Sequence, residues 1–144
     1  MTGFSAIGQR LPRFEDDRLL RGQGRFLDDI VVSRALHAHF LRSPHAHARI
    51  IAIDTTAALA LKGVRGVFTG ADLATMTRPL RMAPAIEGVK PTEIATLPID
   101  KVRFQGDPIA CILADDRYIA EDAAELITVD YQPLPPVASF AAAM

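Results

Sequence analysis

Read for the spacing of apolar and polar positions, the chain divides into a weakly patterned opening and a strongly patterned remainder. From Arg13 to Asp29 no period is sustained and Gly22 and Gly24 interrupt the segment, so residues 1–34 predict an extended arm with a short turn of helix. Residues 35–42 and 48–54 predict two strands parted by the Ser43-Pro44 turn signal, the second alternating around Ile51 and Ile53. Thr55 and Thr56 are placed to cap a short helix over 57–61 that Gly63 ends, residues 64–69 predict a third strand, and residues 70–73 another helical turn. Between Arg78 and Pro98 the period is lost and Pro79, Pro84, Pro91 and Pro98 each remove a backbone donor, which predicts a long irregular loop over 78–98. Residues 101–104 and the almost wholly apolar 109–114 predict two more strands, the latter covered on both faces. Asp115 or Asp116 then caps a helix in which Ile119, Ala120, Ala123, Ala124 and Ile127 recur at helical spacing opposite Glu121, Asp122 and Glu125. Residues 128–131 return as a strand stopped by the prolines at 133, 135 and 136. This mixed order of strands and short helices predicts an α+β domain rather than a doubly wound sheet.

Composition adjusts that picture only slightly. A chain of 144 residues, 49% hydrophobic and 23% charged, fits one domain over 1–144 that buries about two-thirds of its unfolded surface. No apolar run approaches the ~18 residues a spanning helix needs, so no membrane insertion is expected. The first ten residues have neither a basic nor an apolar leader region, which makes a cytoplasmic location the expectation. Residues 1–50 carry eight arginines against five acids, yet these are scattered singly and form no basic helix, so nucleic acid is not an expected partner.

Candidate chemistry is concentrated in one place. All four histidines, His37, His39, His45 and His47, fall in eleven residues. Each His-x-His pair on extended chain puts two imidazoles on one face, a spacing that zinc or copper can use. Against a metal site, the stretch has no Cys, Asp or Glu, and the spacing matches no familiar finger or protease motif. Gly22-Gln23-Gly24 follows no apolar strand and reads as a turn before a phosphate loop, and Asp16-Asp17 and Asp28-Asp29 read as solvated or ion-paired acids before catalytic ones. Gly106-Asp107-Pro108 reads as a turn needing permissive backbone, and Cys111, the one cysteine, as a small buried hydrophobe. These residues assemble no complete set of nucleophile, base and orienting group, and none is assigned a catalytic, cofactor-binding or metal role.

Taken together, the blocks resemble the amino-terminal a/b hammerhead domain of the molybdenum-binding large subunit in the xanthine dehydrogenase and aldehyde oxidase family, with the carbon monoxide dehydrogenase-like branch nearest. The resemblance runs over nearly the whole chain. It rests on Arg13-Phe14-Glu15-Asp16, on Gly22-Gln23-Gly24-Arg25-Phe26-Leu27-Asp28-Asp29, and on Arg42-Ser43-Pro44-His45-Ala46-His47-Ala48-Arg49-Ile50. Thr69-Gly70-Ala71-Asp72-Leu73, Gly106-Asp107-Pro108-Ile109-Ala110 and Val129-Asp130-Tyr131-Gln132-Pro133-Leu134-Pro135 continue it in the same order. Gln132 departs from the acidic residue family members often carry there, a surface difference that leaves the fold unaffected.

The resemblance implies a hammerhead fold with a mixed sheet and short helices, and an oxidoreductase that hydroxylates its substrate with oxygen from water. It implies molybdopterin cytosine dinucleotide, [2Fe–2S] clusters and FAD in the assembled enzyme, and none of them bound by this chain alone. The molybdopterin-contacting loops and the active-site glutamate belong to later domains of such large subunits, so those domains are absent here and no catalytic or cofactor residue carries over. The implied partners are the remaining large-subunit domains, an iron–sulfur subunit and an FAD subunit. The alternative is a stand-alone scaffold or protein-binding module of the same fold without catalysis, using the 78–98 loop as its contact surface.

Overall fold

The computed structural model of the chain describes residues 8–82, 88–89 and 91–143. Residues 1–7 of the expected arm, and 83–87 and 90 of the expected loop, lie outside the described residues. Backbone packing groups the chain into two units, Met1–Arg34 and Ala35–Met144.

Among the described residues of the first unit, one α-helix, α1 (Asp16–Leu20), is followed by one turn of 3-10 helix at Leu27–Asp29. Its end explains the Gly-x-Gly signal. Gly22 takes φ +67°, its amide donates to the Leu19 carbonyl and the Gln23 amide reaches back to Arg18, which is the paired bonding of a helix closed by a left-handed glycine. Asp16 pairs with Arg13 at 3.0 Å and Asp17 with Arg21 at 2.8 Å, while Asp29 accepts the Phe26 amide at 2.9 Å.

The second unit holds eight strands among the described residues: β1 (His37–Arg42), β2 (Ala48–Asp54), β3 (Val64–Thr69), β4 (Leu80–Met82), β5 (Thr92–Ile94), β6 (Lys101–Val102), β7 (Pro108–Ala114) and β8 (Thr128–Pro133). The helices are α2 (Thr56–Ala60), α3 (Gly70–Ala74), α4 (Arg117–Glu125) and α5 (Phe140–Ala143). The α+β architecture is thus present, with its strands divided among one sheet ordered β1-β7-β3, another ordered β6-β2-β8, and the hairpin β4-β5. Each recorded pairing is antiparallel. β1 and β2, successive in sequence, are in different sheets, so the Ser43-Pro44 turn is a crossover between layers and not a hairpin.

β7 occupies the middle of the first sheet because its residues are apolar on both faces. Ala110, Ile112 and Ala114 pack with Ala120, Ala123 and Ala124 of α4, with Ala58 of α2 and with Ile127, while Ile109 joins Ala48 and Val102 in a second cluster. Leu41 and Val129 border both clusters, which makes the core continuous across the two sheets. The alanines of α4 let the helix backbone approach the sheet closely. Its start is fixed by Asp116, whose carboxylate accepts the Tyr118 amide at 2.8 Å. Asp116→Ala is expected to cost about 1 kcal/mol in urea denaturation, the usual weight of an N-cap; an unchanged midpoint would show that the cap adds nothing.

Several expectations need correction. Neither Thr55 nor Thr56 caps α2 through its side chain; the Asp54 carboxylate does, accepting the Thr56 amide at 2.9 Å. Alternation in β2 does not run through Ile51, because the pairing with β8 skips from Ile50 to Ala52 and leaves Ile51 in a bulge, 57% exposed. The 78–98 segment is not wholly irregular, since β4 and β5 pair from Leu80↔Ile94 to Met82↔Thr92. β6 ends at Val102 because Phe104 already opens a turn, its carbonyl accepting the Asp107 amide. β8 runs on to Pro133, which an edge strand tolerates.

Candidate functional site

The residues singled out for chemistry converge only in part. At the end of β1 the Arg42 guanidinium donates to the Gly106 carbonyl at 3.0 Å, the Ser43 amide to the Asp107 carbonyl at 2.9 Å, and the Gly106 amide to the Ser43 carbonyl at 2.8 Å. The Ser43-Pro44 and Gly106-Asp107-Pro108 turns are therefore zipped together. Gly106 adopts φ +88°, the left-handed region that a side chain strains. Ser43 and Asp107 are both buried, and both are satisfied locally: the Ser43 hydroxyl accepts the His45 amide at 3.0 Å, and the Asp107 carboxylate accepts the Arg103 amide at 3.1 Å. Burial pushes the Tyr131 phenol up, against a smaller opposing pull from the Ser43 hydroxyl beside it; no hydrogen-bond geometry is completed at its buried oxygen among the described residues.

The four histidines do not form one centre. His37 and His39 lie on β1 and line a polar cleft with Arg117 and Glu121 of α4. His45 packs edge-on against Tyr131 with ring centroids 4.8 Å apart, and the His47 Nδ1 meets the Pro135 carbonyl at 2.9 Å. Among the described residues no three His, Cys, Asp or Glu side chains gather at metal-binding distance. Cys111 is half-buried rather than fully buried, and burial pushes its thiol up, away from thiolate character. Sequence reasoning missed the cleft of about 460 Å³ between the β4-β5 hairpin and the 98–107 segment, lined by Ile94, Ile99 and Phe104 with Glu93, Asp100 and Asp107. The loss of period at 78–98 is its one trace in the sequence.

These donors do not fit the cofactors that the resemblance implies. An iron–sulfur cluster takes four thiolates, and the chain has one cysteine. A dinucleotide's pyrophosphate takes cations or a glycine-rich turn at a helix start. The cleft offers three carboxylates and Arg103, whose guanidinium is already engaged by Asp100 at 3.7 Å and the Lys101 carbonyl at 3.1 Å.

What the side chains do accomplish is fastening. Arg65 of β3 holds Asp115 through two bonds of 2.7 and 2.6 Å, joining β3 to the corner between β7 and α4, and this keeps the Asp115 carboxyl below its ordinary value. The Thr56 hydroxyl and amide do the same for Asp54, and the Thr69 amide and hydroxyl for Asp72. Because each folded value lies below the ordinary 3.8, the stabilisation is complete above that pH and lost as pH falls through the folded values. The melting temperature is expected to drop on acidification below the ordinary carboxylate range, and Arg65→Met to flatten that drop. An identical acid profile in the variant would remove Asp115 from the account.

By fold the chain is an α+β domain of antiparallel sheets and short helices. Residues 21–135 match the family described as "Aldehyde oxidase and xanthine dehydrogenase, a/b hammerhead domain", and the chain belongs to that family. It is similar to the nicotine 6-hydroxylase large subunit of Paenarthrobacter nicotinovorans, 42% identical over 90% of this chain and 16% of the relative. It is also similar to the carbon monoxide dehydrogenase large chain of Afipia carboxidovorans, 44% identical over 90% of this chain and 15% of the relative. Among solved structures, quinoline 2-oxidoreductase from Pseudomonas putida 86 superposes with a TM-score of 0.87 at 45% identity, over 96% of this chain and 18% of that one. The chain thus spans about one-sixth of the length of the proteins it matches. Among the described residues no helix is long and apolar enough to cross a membrane.

Proposed function

We propose that this chain is the structural and assembly domain of a molybdenum hydroxylase large subunit and turns over no substrate alone. The observation that carries the reading is the match of almost the whole chain to less than a fifth of quinoline 2-oxidoreductase. In the assembled enzyme, molybdopterin cytosine dinucleotide, [2Fe–2S] clusters and FAD supply the hydroxylation and carry the electrons away. The partners are the remaining large-subunit domains, an iron–sulfur subunit and an FAD subunit. A cytoplasmic location accords with a single, unpaired cysteine.

This chain's own residues build the platform: the zipped turns at Ser43 and Asp107 fix the two sheets, and α4 seals the core. The test is to purify the protein from its native source and assay molybdenum by mass spectrometry. Recovery within a molybdenum-containing complex is expected, with no molybdenum on the 144-residue chain alone. Recovery of the chain by itself would favour the scaffold reading, and molybdenum held by the isolated chain would place a cofactor site where none is proposed.

A further inference from the structure

The two His-x-His pairs, alike in sequence, meet different surroundings in the fold. His45 and His47 lie in the bend before β2, one ring against Tyr131 and the other's Nδ1 on the Pro135 carbonyl, so each is engaged with a separate partner. His37 and His39 lie on extended backbone in β1, at the edge of the first sheet. Alternation puts both imidazoles on the face that carries Leu41. Leu41 packs against the core cluster under α4, which fixes that face as the one beside the helix. His37 and His39 accordingly line one cleft of about 230 Å³ with Arg117 and Glu121, and His39 borders a second with Glu121 and Glu125. Their cross-strand neighbours on β7, Ala114 and Ile112, offer no polar side chain. Among the described residues neither imidazole, nor the Glu121 carboxylate, has a hydrogen bond or ion pair.

We propose that His37 and His39 form a two-imidazole chelate for a divalent transition-metal ion of the zinc class, with Glu121 as the neighbouring counter-charge. Alternate residues of a strand are about 6.6 Å apart, a span that two imidazoles close onto one ion at Zn–N distances of about 2.0–2.1 Å. Imidazole nitrogen selects zinc, copper and nickel over magnesium and calcium, which take oxygen donors. No three His, Cys, Asp or Glu side chains gather at metal-binding distance among the described residues, so the chelate is the histidine pair and water takes the remaining positions. Glu121 and Glu125 set two negative charges around His39 against one positive charge from Arg117, a balance that favours a cation. The inference needs only β1 and α4, and stands apart from the functional reading above.

The experiment is equilibrium dialysis of the protein, purified from its native source, against Zn²⁺ alone, with bound zinc counted by mass spectrometry. The same protein carrying both His37→Ala and His39→Ala is dialysed beside it. The native protein is expected to hold one zinc per chain that the double variant lacks. His39→Ala alone is expected to weaken binding at least about tenfold, since losing a group that merely supports a metal ligand already costs about 10–100-fold. His47→Ala is expected to leave zinc binding unchanged. A second measurement needs no substitution: carbethoxylation of histidines by diethyl pyrocarbonate, mapped by peptide mass spectrometry, is expected to slow at His37 and His39 with Zn²⁺ present and not with Mg²⁺. Equal zinc in the native protein and the double variant would overturn the proposal, as would a footprint at both histidines that Zn²⁺ leaves unchanged. Loss of the zinc in His47→Ala would overturn it too, by moving the ligand to the other pair.

Discussion

Ile112→Ala is expected to cost about 2–5 kcal/mol of folding stability, toward the upper end of that range. Ile112 is fully buried at the centre of β7, with His39 and Val67 as its cross-strand neighbours. The α4 side chains above the sheet, Ala120, Ala123 and Ala124, are already the smallest that bury a methyl, so none can swing in to fill the vacated volume. The helix itself is held by its Asp116 cap and by the Arg65–Asp115 pair at its entry, which resists collapse onto the cavity. A domain of this size commonly has about 5–15 kcal/mol in total, so the variant loses a large share of it. Urea denaturation reads the effect directly. Cys111→Ala, one residue away on the opposite face, serves as the control and is expected to cost under about 1 kcal/mol. Equal losses at the two positions would mean that the face bearing Cys111 is as firmly packed as the one under α4.

The contrast between those two neighbours also shows where sequence reading succeeds and where it stops. The unbroken apolar run 109–114 announces a central strand, and the alanine spacing of α4 announces the face it buries; both are present as expected. The run cannot say which layer lies on each side, because apolar residues on both faces erase the alternation that distinguishes them. The bulge at Ile51 was hidden for a related reason. Ile50, Ile51 and Ile53 are equally apolar, and only the partner strand β8 decides which of them is squeezed out. Asp115 and Asp116 look interchangeable as caps until Arg65, fifty residues earlier, claims the first of them. The β4-β5 hairpin has three residues on each side and so gives no periodicity long enough to read. The four histidines, close in sequence, are separated in space by the crossover at Ser43-Pro44: His37 and His39 lie on β1, whereas His45 and His47 lie in the bend that precedes β2. The resemblance is carried by the shared order and spacing of several blocks, among them Arg42-Ser43 and Gly106-Asp107, whose hydrogen bonds to each other are long-range and leave no local trace.

Gly70→Ala carries the second large effect, and here two principles predict opposite signs. Gly70 is the first residue of α3, and alanine in a helix is favoured over glycine by roughly 1 kcal/mol. Sterics oppose that gain. A Cβ at Gly70 would stand 2.3 Å from the Pro98 carbonyl oxygen, 2.7 Å from its carbon and 2.9 Å from the Leu97 carbonyl oxygen, all backbone atoms of a buried segment. At Gly63 the nearest atom, at 2.8 Å, is the flexible end of Ile119, and at Gly106 there is open space and only the +88° φ to strain. At Gly70, relief requires the 97–98 backbone to move. Leu97 of that segment also lines the small apolar pocket of about 110 Å³ with Leu73, Thr77 and Ile99, so displacing it loosens the tie between α3 and the irregular residues leading into β6. Overpacking of this kind costs typically 1–3 kcal/mol; because relief here requires backbone to move, the upper end, about 3 kcal/mol, applies, and the propensity gain of roughly 1 kcal/mol leaves a net loss of about 2 kcal/mol. Urea denaturation of the variant is expected to show an earlier midpoint, and hydrogen exchange to show its largest loss of protection in residues 95–102. A stabilised Gly70→Ala chain would mean that the 97–98 backbone yields freely. In that case the glycine of Thr69-Gly70-Ala71-Asp72-Leu73 would need a different explanation from the close approach argued above.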